Sequence, residues 1–216
     1  MKKELLKRIL SSIILVPIVL FTIFKGSIIF NLFLILCLSV ILYEWHCMRI
    51  KNKYYYSGIV FCFISFYTIY SLYHLDNNYN NFLFVLIICV STDIGGYVFG
   101  KILKGPKLTS ISPNKTFSGS IGSLVFSIVS SIIFIQSSFF SPNKPENLYI
   151  FYLIVILISL VSQTGDLIIS YFKRASRIND TGKIIPGHGG LLDRTDGIIF
   201  AYPFYYLILL AGLKVF

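Results

Sequence analysis

Nine acidic residues stand in a chain of 216 that is 56% hydrophobic, so the place of each one is informative. Asp93 and Asp166 fall inside apolar runs. Each precedes the basic end of its run by about seven residues, or roughly 10 Å at 1.5 Å per helical residue. An ionisable group at such depth costs about 2.5–3.5 kcal/mol on insertion scales and is by default a functional candidate. The plainer alternative is a protonated or Ser/Thr-bonded Asp in helix packing. Asp166, Ser170 and Lys173 are spaced i, i+4, i+7, which puts them on one face of a helix. The following stretch holds Pro186-Gly187-His188-Gly189-Gly190, then Asp193 and Asp196 three residues apart at the predicted start of the last helix. Lys173, Arg174, Arg177, Lys183 and Arg194 surround them. Clustered carboxylates recruit Mg²⁺, while bases and glycine amides bind phosphate oxygens. The combination suits metal-assisted phosphoryl or nucleotidyl chemistry. A loop touching anionic lipid accounts for the bases alone. It does not account for His188, Asp193 and Asp196 together.

A second polar stretch, Gly100 to Gly119, mixes bases with hydroxyls and turn residues. Within it Ser112 and Lys115 are candidate phosphate or nucleotide contacts, and Asp93 lies just upstream. Gly96 and Gly100 have the spacing of a helix-packing face. No GxxxxGK[ST] pattern occurs, which argues against a P-loop ATPase.

The elements that must position these residues are membrane helices. Charged residues make up 13% of the chain, against roughly 25% in a soluble domain. Seven segments are apolar enough to be spans: 9–24, 27–43, 54–73, 82–100, 119–140, 148–172 and 197–213. The fold expected is an all-α polytopic bundle of about seven transmembrane helices. It forms one membrane domain, 1–216, with N-terminal spans in 1–81 and catalytic spans and loops in 82–216. With the N-terminus in the cytoplasm, sixteen of the nineteen Lys and Arg residues fall on the inner side, the positive-inside pattern. The net charge of +10 is therefore read as membrane topology, with no nucleic-acid partner. Four cysteines without CxxC spacing imply neither zinc nor disulfides.

The residues Ser170-Tyr-Phe-Lys173-Arg174, Asn179-Asp180 and Pro186-Gly-His188-Gly189-Gly190-Leu-Leu-Asp193-Arg194-Thr-Asp196 closely resemble the signature of the phosphatidate cytidylyltransferases. Asp93…Tyr97…Gly100 and Ser112-Pro-Asn-Lys115-Thr-Phe resemble that family's earlier blocks. The family usually carries Lys where Asn179 stands and an acid where Ser118 stands. The resemblance implies transfer of the cytidylyl group of CTP to phosphatidate, giving CDP-diacylglycerol and pyrophosphate for phospholipid biosynthesis. It implies Mg²⁺ held by Asp166, Asp193 and Asp196, with K⁺ as a second cation. Lys173 and His188 join those three as catalytic residues, and Asp93, Ser112, Lys115, Arg174, Gly189, Gly190 and Arg194 bind substrate. The expected setting is a bacterial inner membrane with the site facing the cytoplasm, and a homodimer by analogy alone. Two other readings are a CTP-dependent lipid-alcohol kinase and a cation or proton transporter using the intramembrane Asp residues.

Overall fold

The computed structural model describes residues 2–48, 50, 52–75, 79–109, 111–113, 115–137, 145–187, 189–213 and 215, with the backbone alone for 2–10, 12, 52 and 53. The described residues form eight α-helices: α1 Lys2–Lys25, α2 Ser27–Cys47, α3 Asn52–Leu75, α4 Asn80–Leu103, α5 Phe117–Gln136, α6 Leu148–Ala175, α7 Leu192–Thr195 and α8 Ile198–Leu210. Among the described residues, extended backbone pairs only as two isolated bridges, Lys107 with Thr116 and Ile185 with Gly189. The all-helical expectation holds.

Among the described residues, five helices are long and apolar enough to cross a membrane: Ser27–Cys47, Tyr54–Leu75, Asn80–Leu103, Phe117–Gln136 and Leu148–Ala175. Two shorter apolar helices, Ile13–Lys25 and Ile198–Leu210, correspond to the first and last of the seven predicted spans. A crossing takes about 20 residues, range roughly 17–25. The expected extension of the fifth segment to residue 140 reaches beyond Gln136, and residues 138–144 lie outside the described residues. The helices carry large apolar side chains outward: Ile28 is 75% exposed, and Leu32 and Leu36 are each 63% exposed. Such faces are stable only against hydrocarbon, and the chain is a membrane protein.

α1 and α2 meet at Gly26, whose φ of 127° is open to glycine but strained for other residues. The break between α1 and α2 falls at Lys25-Gly26, where the sequence placed it. The chain groups into two compact units. The first comprises Met1–Tyr70 with Phe172–Thr195, so the loop after α6 belongs with the N-terminal helices. Its core includes Trp45, whose ring lies over Gly58 and donates Nε1–H to Tyr55 O at 3.1 Å. The edge of Trp45 meets Phe172 at 5.3 Å.

The second unit comprises Ser71–Tyr171 with Asp196–Phe216. Its centre is the contact of α4 with α5, made close by Gly95, Gly96, Gly119 and Gly122. A Cβ at Gly95 would lie 2.5 Å from Gly122 O, and one at Gly122 would lie 2.3 Å from Phe99 Cβ. Hydroxyls tie the helices together. Ser123 donates to Thr92 O at 2.7 Å, Thr92 pairs with Ser159 at 2.9 Å, and Ser130 with Ser91 at 2.8 Å. In hydrocarbon, where no hydrophobic force joins helices, small residues and interhelical hydrogen bonds supply the association. The Gly96–Gly100 spacing is thus a packing face, as expected. Tyr202 and Tyr205 of α8 donate to Phe82 O and Asn81 Oδ1, fixing α8 beside the start of α4.

Candidate active site

The first polar cluster lies in the unit that carries the loop after α6. Lys173, in the last turn of α6, places Nζ 2.8 Å from Asp193 Oδ1. Asp193 sits in its own turn of helix, α7, ahead of α8. Its other oxygen, Oδ2, accepts from Thr181 N at 2.8 Å, Gly190 N at 2.9 Å and Thr181 Oγ1 at 3.1 Å. Burial would raise the Asp193 pKa, but the Lys173 ammonium and the Gly190 and Thr181 amides outweigh it and hold the carboxyl below its ordinary value. Asp193 is therefore an ionised knot closing the loop.

That loop is folded on itself. Ile185 and Gly189 exchange backbone hydrogen bonds of 2.9 and 3.2 Å around the turn at Pro186-Gly187. Gly187 and Gly189 have φ of 78° and 89°, values that glycine adopts without cost. His188 lies outside the described residues. The N–H groups of Gly189 and Gly190 are committed inside the loop, to Ile185 O and Asp193 Oδ2. Crowding accounts for Gly190, since a Cβ there would lie 2.2 Å from Thr181 Oγ1. Arg174 is exposed and donates to Ile178 O and to Asn179 Oδ1, so Asn179 orients an arginine. Arg194 is also exposed.

The second cluster lies in the other unit. Between α4 and α5 the described residues turn back on themselves: Leu108 N donates to Lys115 O, Lys115 N to Ser112 O and Phe117 N to Pro106 O. Thr116 caps α5 by accepting from Gly119 N. Ser118 accepts from Gly105 N and meets Thr116 Oγ1 at 3.0 Å. This framework directs Lys115 Nζ onto Asp166 Oδ2, while Ser170, one turn along α6, donates to Asp166 Oδ1 at 3.3 Å. The predicted face of α6 is present, with Asp166 about 29% exposed. Asp93 is exposed on α4. Asp196 is buried, at 7% exposure, with Oδ1 accepting from Gly197 N at 2.9 Å. Ser112 is half-buried, its N donating to Thr109 Oγ1.

Among the described residues, no three His, Cys, Asp or Glu side chains gather as a group that would cage a metal ion. A hard divalent ion at a phosphoryl site needs less than that. It takes one or two carboxylates and completes its shell with substrate phosphates and water. The half-exposed Asp166 carboxylate, with a lysine as its present cationic neighbour, fits such partial donation.

Glu44 was not among the expected site residues. It is 1% exposed at the end of α2 and accepts three hydrogen bonds from the loop after α6. An acid at the end of an apolar run, beside Trp45, was a signal in the sequence. Its partners, some 140 residues on, were not readable there.

A model of the cytidylyltransferase family matches residues 54–211. The phosphatidate cytidylyltransferase of Rickettsia bellii is 38% identical over 218 residues, covering 96% of this chain and 91% of that protein. The Rickettsia felis enzyme of the same name is 36% identical, covering 96% and 93%. That of Staphylococcus haemolyticus is 31% identical, covering 82% and 68%.

Proposed function

The chain belongs to the cytidylyltransferase family, and from that premise we propose that it transfers the cytidylyl group of CTP to phosphatidate. A phosphate oxygen of phosphatidate attacks the α-phosphorus of CTP, the bond to the α,β-bridging oxygen breaks, and pyrophosphate leaves. The product is CDP-diacylglycerol. The observation that carries this reading is the match to phosphatidate cytidylyltransferases along 96% of the chain. Neither the lipid-alcohol kinase nor the transporter has an observation in its favour.

Phosphoryl transfer asks the protein mainly for positioning and charge. Lys115, Lys173, Arg174 and Arg194 offset the phosphate charge, with Ser112, His188 and Asp93 as further substrate contacts. Gly189 and Gly190 serve by letting the loop close on Thr181 and Asp193, since their amides already donate within it. Asp166 is placed to donate to Mg²⁺, Asp193 and Asp196 are the further ligands that the family resemblance implies, and K⁺ would bind beside it. When bound, Mg²⁺ neutralises and orients the nucleotide phosphates. Lys115 and Lys173 hold Asp166 and Asp193 in place, and exchange toward phosphate oxygens when CTP enters. Seven spans, a cytoplasmic N-terminus, a site on the cytoplasmic face of a bacterial inner membrane and a homodimer complete the proposal.

Purified protein with phosphatidate, Mg²⁺ and CTP labelled at the α or the γ phosphate tests it. The α label should enter the lipid and the γ label should leave as pyrophosphate. A γ-labelled lipid would instead make the chain a kinase, and no lipid product would refute the assignment.

A further inference from the structure

Glu44 is an acid buried where burial of a lone carboxylate is costly, so its partners explain its presence. Its Oε1 accepts from Leu191 N at 2.8 Å, and its Oε2 accepts from Leu192 N at 2.8 Å and from Thr181 Oγ1 at 2.9 Å. Thr181 lies at one end of the loop that folds around Pro186-Gly187, and Leu191-Leu192 at the other. One side chain of α2 therefore holds both ends. Thr181 also donates its N–H to Asp193, linking the Glu44 contacts to the Lys173–Asp193 pair. Two glycines make room for this grip: a Cβ would come within 2.7 Å of Glu44 Oε1 at Gly182 and within 2.6 Å of it at Gly190. Glu44 also lies outside residues 54–211, the part matched by the family model.

We propose that Glu44 is a positioning residue for the reaction: from the second helix it fixes the loop of residues 181–192 so that Lys173, Asp193 and the glycine turn meet the CTP phosphates in one arrangement. The inference rests on the cytidylyltransferase reading above. Both carboxylate oxygens are acceptors, so a glutamine cannot replace them. Whichever way its amide is turned, the NH₂ faces a backbone N–H of Leu191 or Leu192. The loop must then shift, and a shift of about 1 Å at a phosphate site is felt strongly in the reaction.

The test is steady-state kinetics of full-length Glu44→Gln in detergent with CTP and phosphatidate, alongside its melting temperature. The KM for CTP should rise at least about tenfold. A merely structural role would lower the folded fraction and hence the maximal rate, leaving the KM for CTP as in wild type; that result overturns the proposal, as does wild-type behaviour in both. Thr181→Val removes the hydroxyl shared between Glu44 Oε2 and Asp193 Oδ2 and keeps the backbone N–H donated to Asp193. It should raise the KM for CTP in the same direction, and it decides the matter if Glu44→Gln does not fold. A wild-type enzyme that forms no CDP-lipid refutes the functional reading itself, an outcome distinct from an active wild type with unchanged variant KM.

Discussion

Asp193 is 5% exposed at its side chain and remains ionised because four hydrogen bonds converge on it, one from an ammonium. With its folded pKa below the ordinary value, it contributes stability at every pH above about 3.9, the value in an unfolded chain. That contribution is lost as pH falls from there through the lower folded value. The melting temperature in detergent should therefore fall steeply below about pH 4 for wild type, and Asp193→Asn should melt lower at neutral pH with a flatter acid limb. Equal acid limbs in the two proteins would remove Asp193 from the set of stabilising carboxylates. Much of this residue-level pattern was legible in the sequence: helical spacing put Ser170 under Asp166, and residue type marked Lys173, Asp166 and Asp193 as a charged set. The pairings were less legible. Lys115 reaches Asp166 only because residues 104–117 fold back on themselves, and Glu44 reaches Thr181 only through tertiary packing.

The elements follow from apolar runs and their interruptions, so among the described residues five long helices stand close to where the sequence placed them; α2, α3, α4 and α6 run on by a few residues into polar flanks, whereas α5 starts two residues early and ends at Gln136. Flanking residues such as Lys101 and Lys173 have good helix propensity and continue the helix past the apolar run. The four-residue α7 was not legible, because it has no apolar period of its own and is pinned by Glu44 and Asp193. The α4–α5 contact was half legible: the Gly96–Gly100 spacing announced a packing face, while its partners Gly119 and Gly122 became evident only once the helices were paired. A methyl group at position 122 would stand 2.3 Å from Phe99 Cβ and 2.9 Å from Gly95 O, both fixed to the backbone of α4 rather than at the end of a flexible side chain. Gly122→Ala should thus cost about 1–3 kcal/mol, the range for overpacking. Ile121→Ala, one residue away on a side chain 53% exposed, should cost within about 0.5 kcal/mol. Thermal unfolding of the two variants in one detergent checks this. Equal losses would mean that the close approach of α4 and α5 carries no special weight.

At the scale of the whole molecule, charge asymmetry decides which face of the membrane meets CTP. The loop before α5 carries Lys104, Lys107 and Lys115, whereas the stretch between α5 and α6 carries one base, Lys144, two residues from Glu146. α5 has 20 residues, hence a length of about 30 Å, which matches the hydrocarbon thickness. On the proposed topology its two flanks lie on opposite sides, with the basic flank inside. A nucleotide made in the cytoplasm would then find Lys115 and Asp166 on its own side, while phosphatidate reaches them from the inner leaflet. This is checked in intact cells of a bacterial host, with the four native cysteines replaced. A single cysteine goes at Lys107, before α5, or at Tyr149, 90% exposed at the start of α6. A membrane-impermeant maleimide should label Tyr149→Cys from outside and leave Lys107→Cys unlabelled until the membrane is opened. The reverse pattern would put the lysines on the far side from the cell's CTP. No arrangement of carboxylates could then rescue the cytoplasmic reaction, because a triphosphate does not cross 30 Å of hydrocarbon unaided.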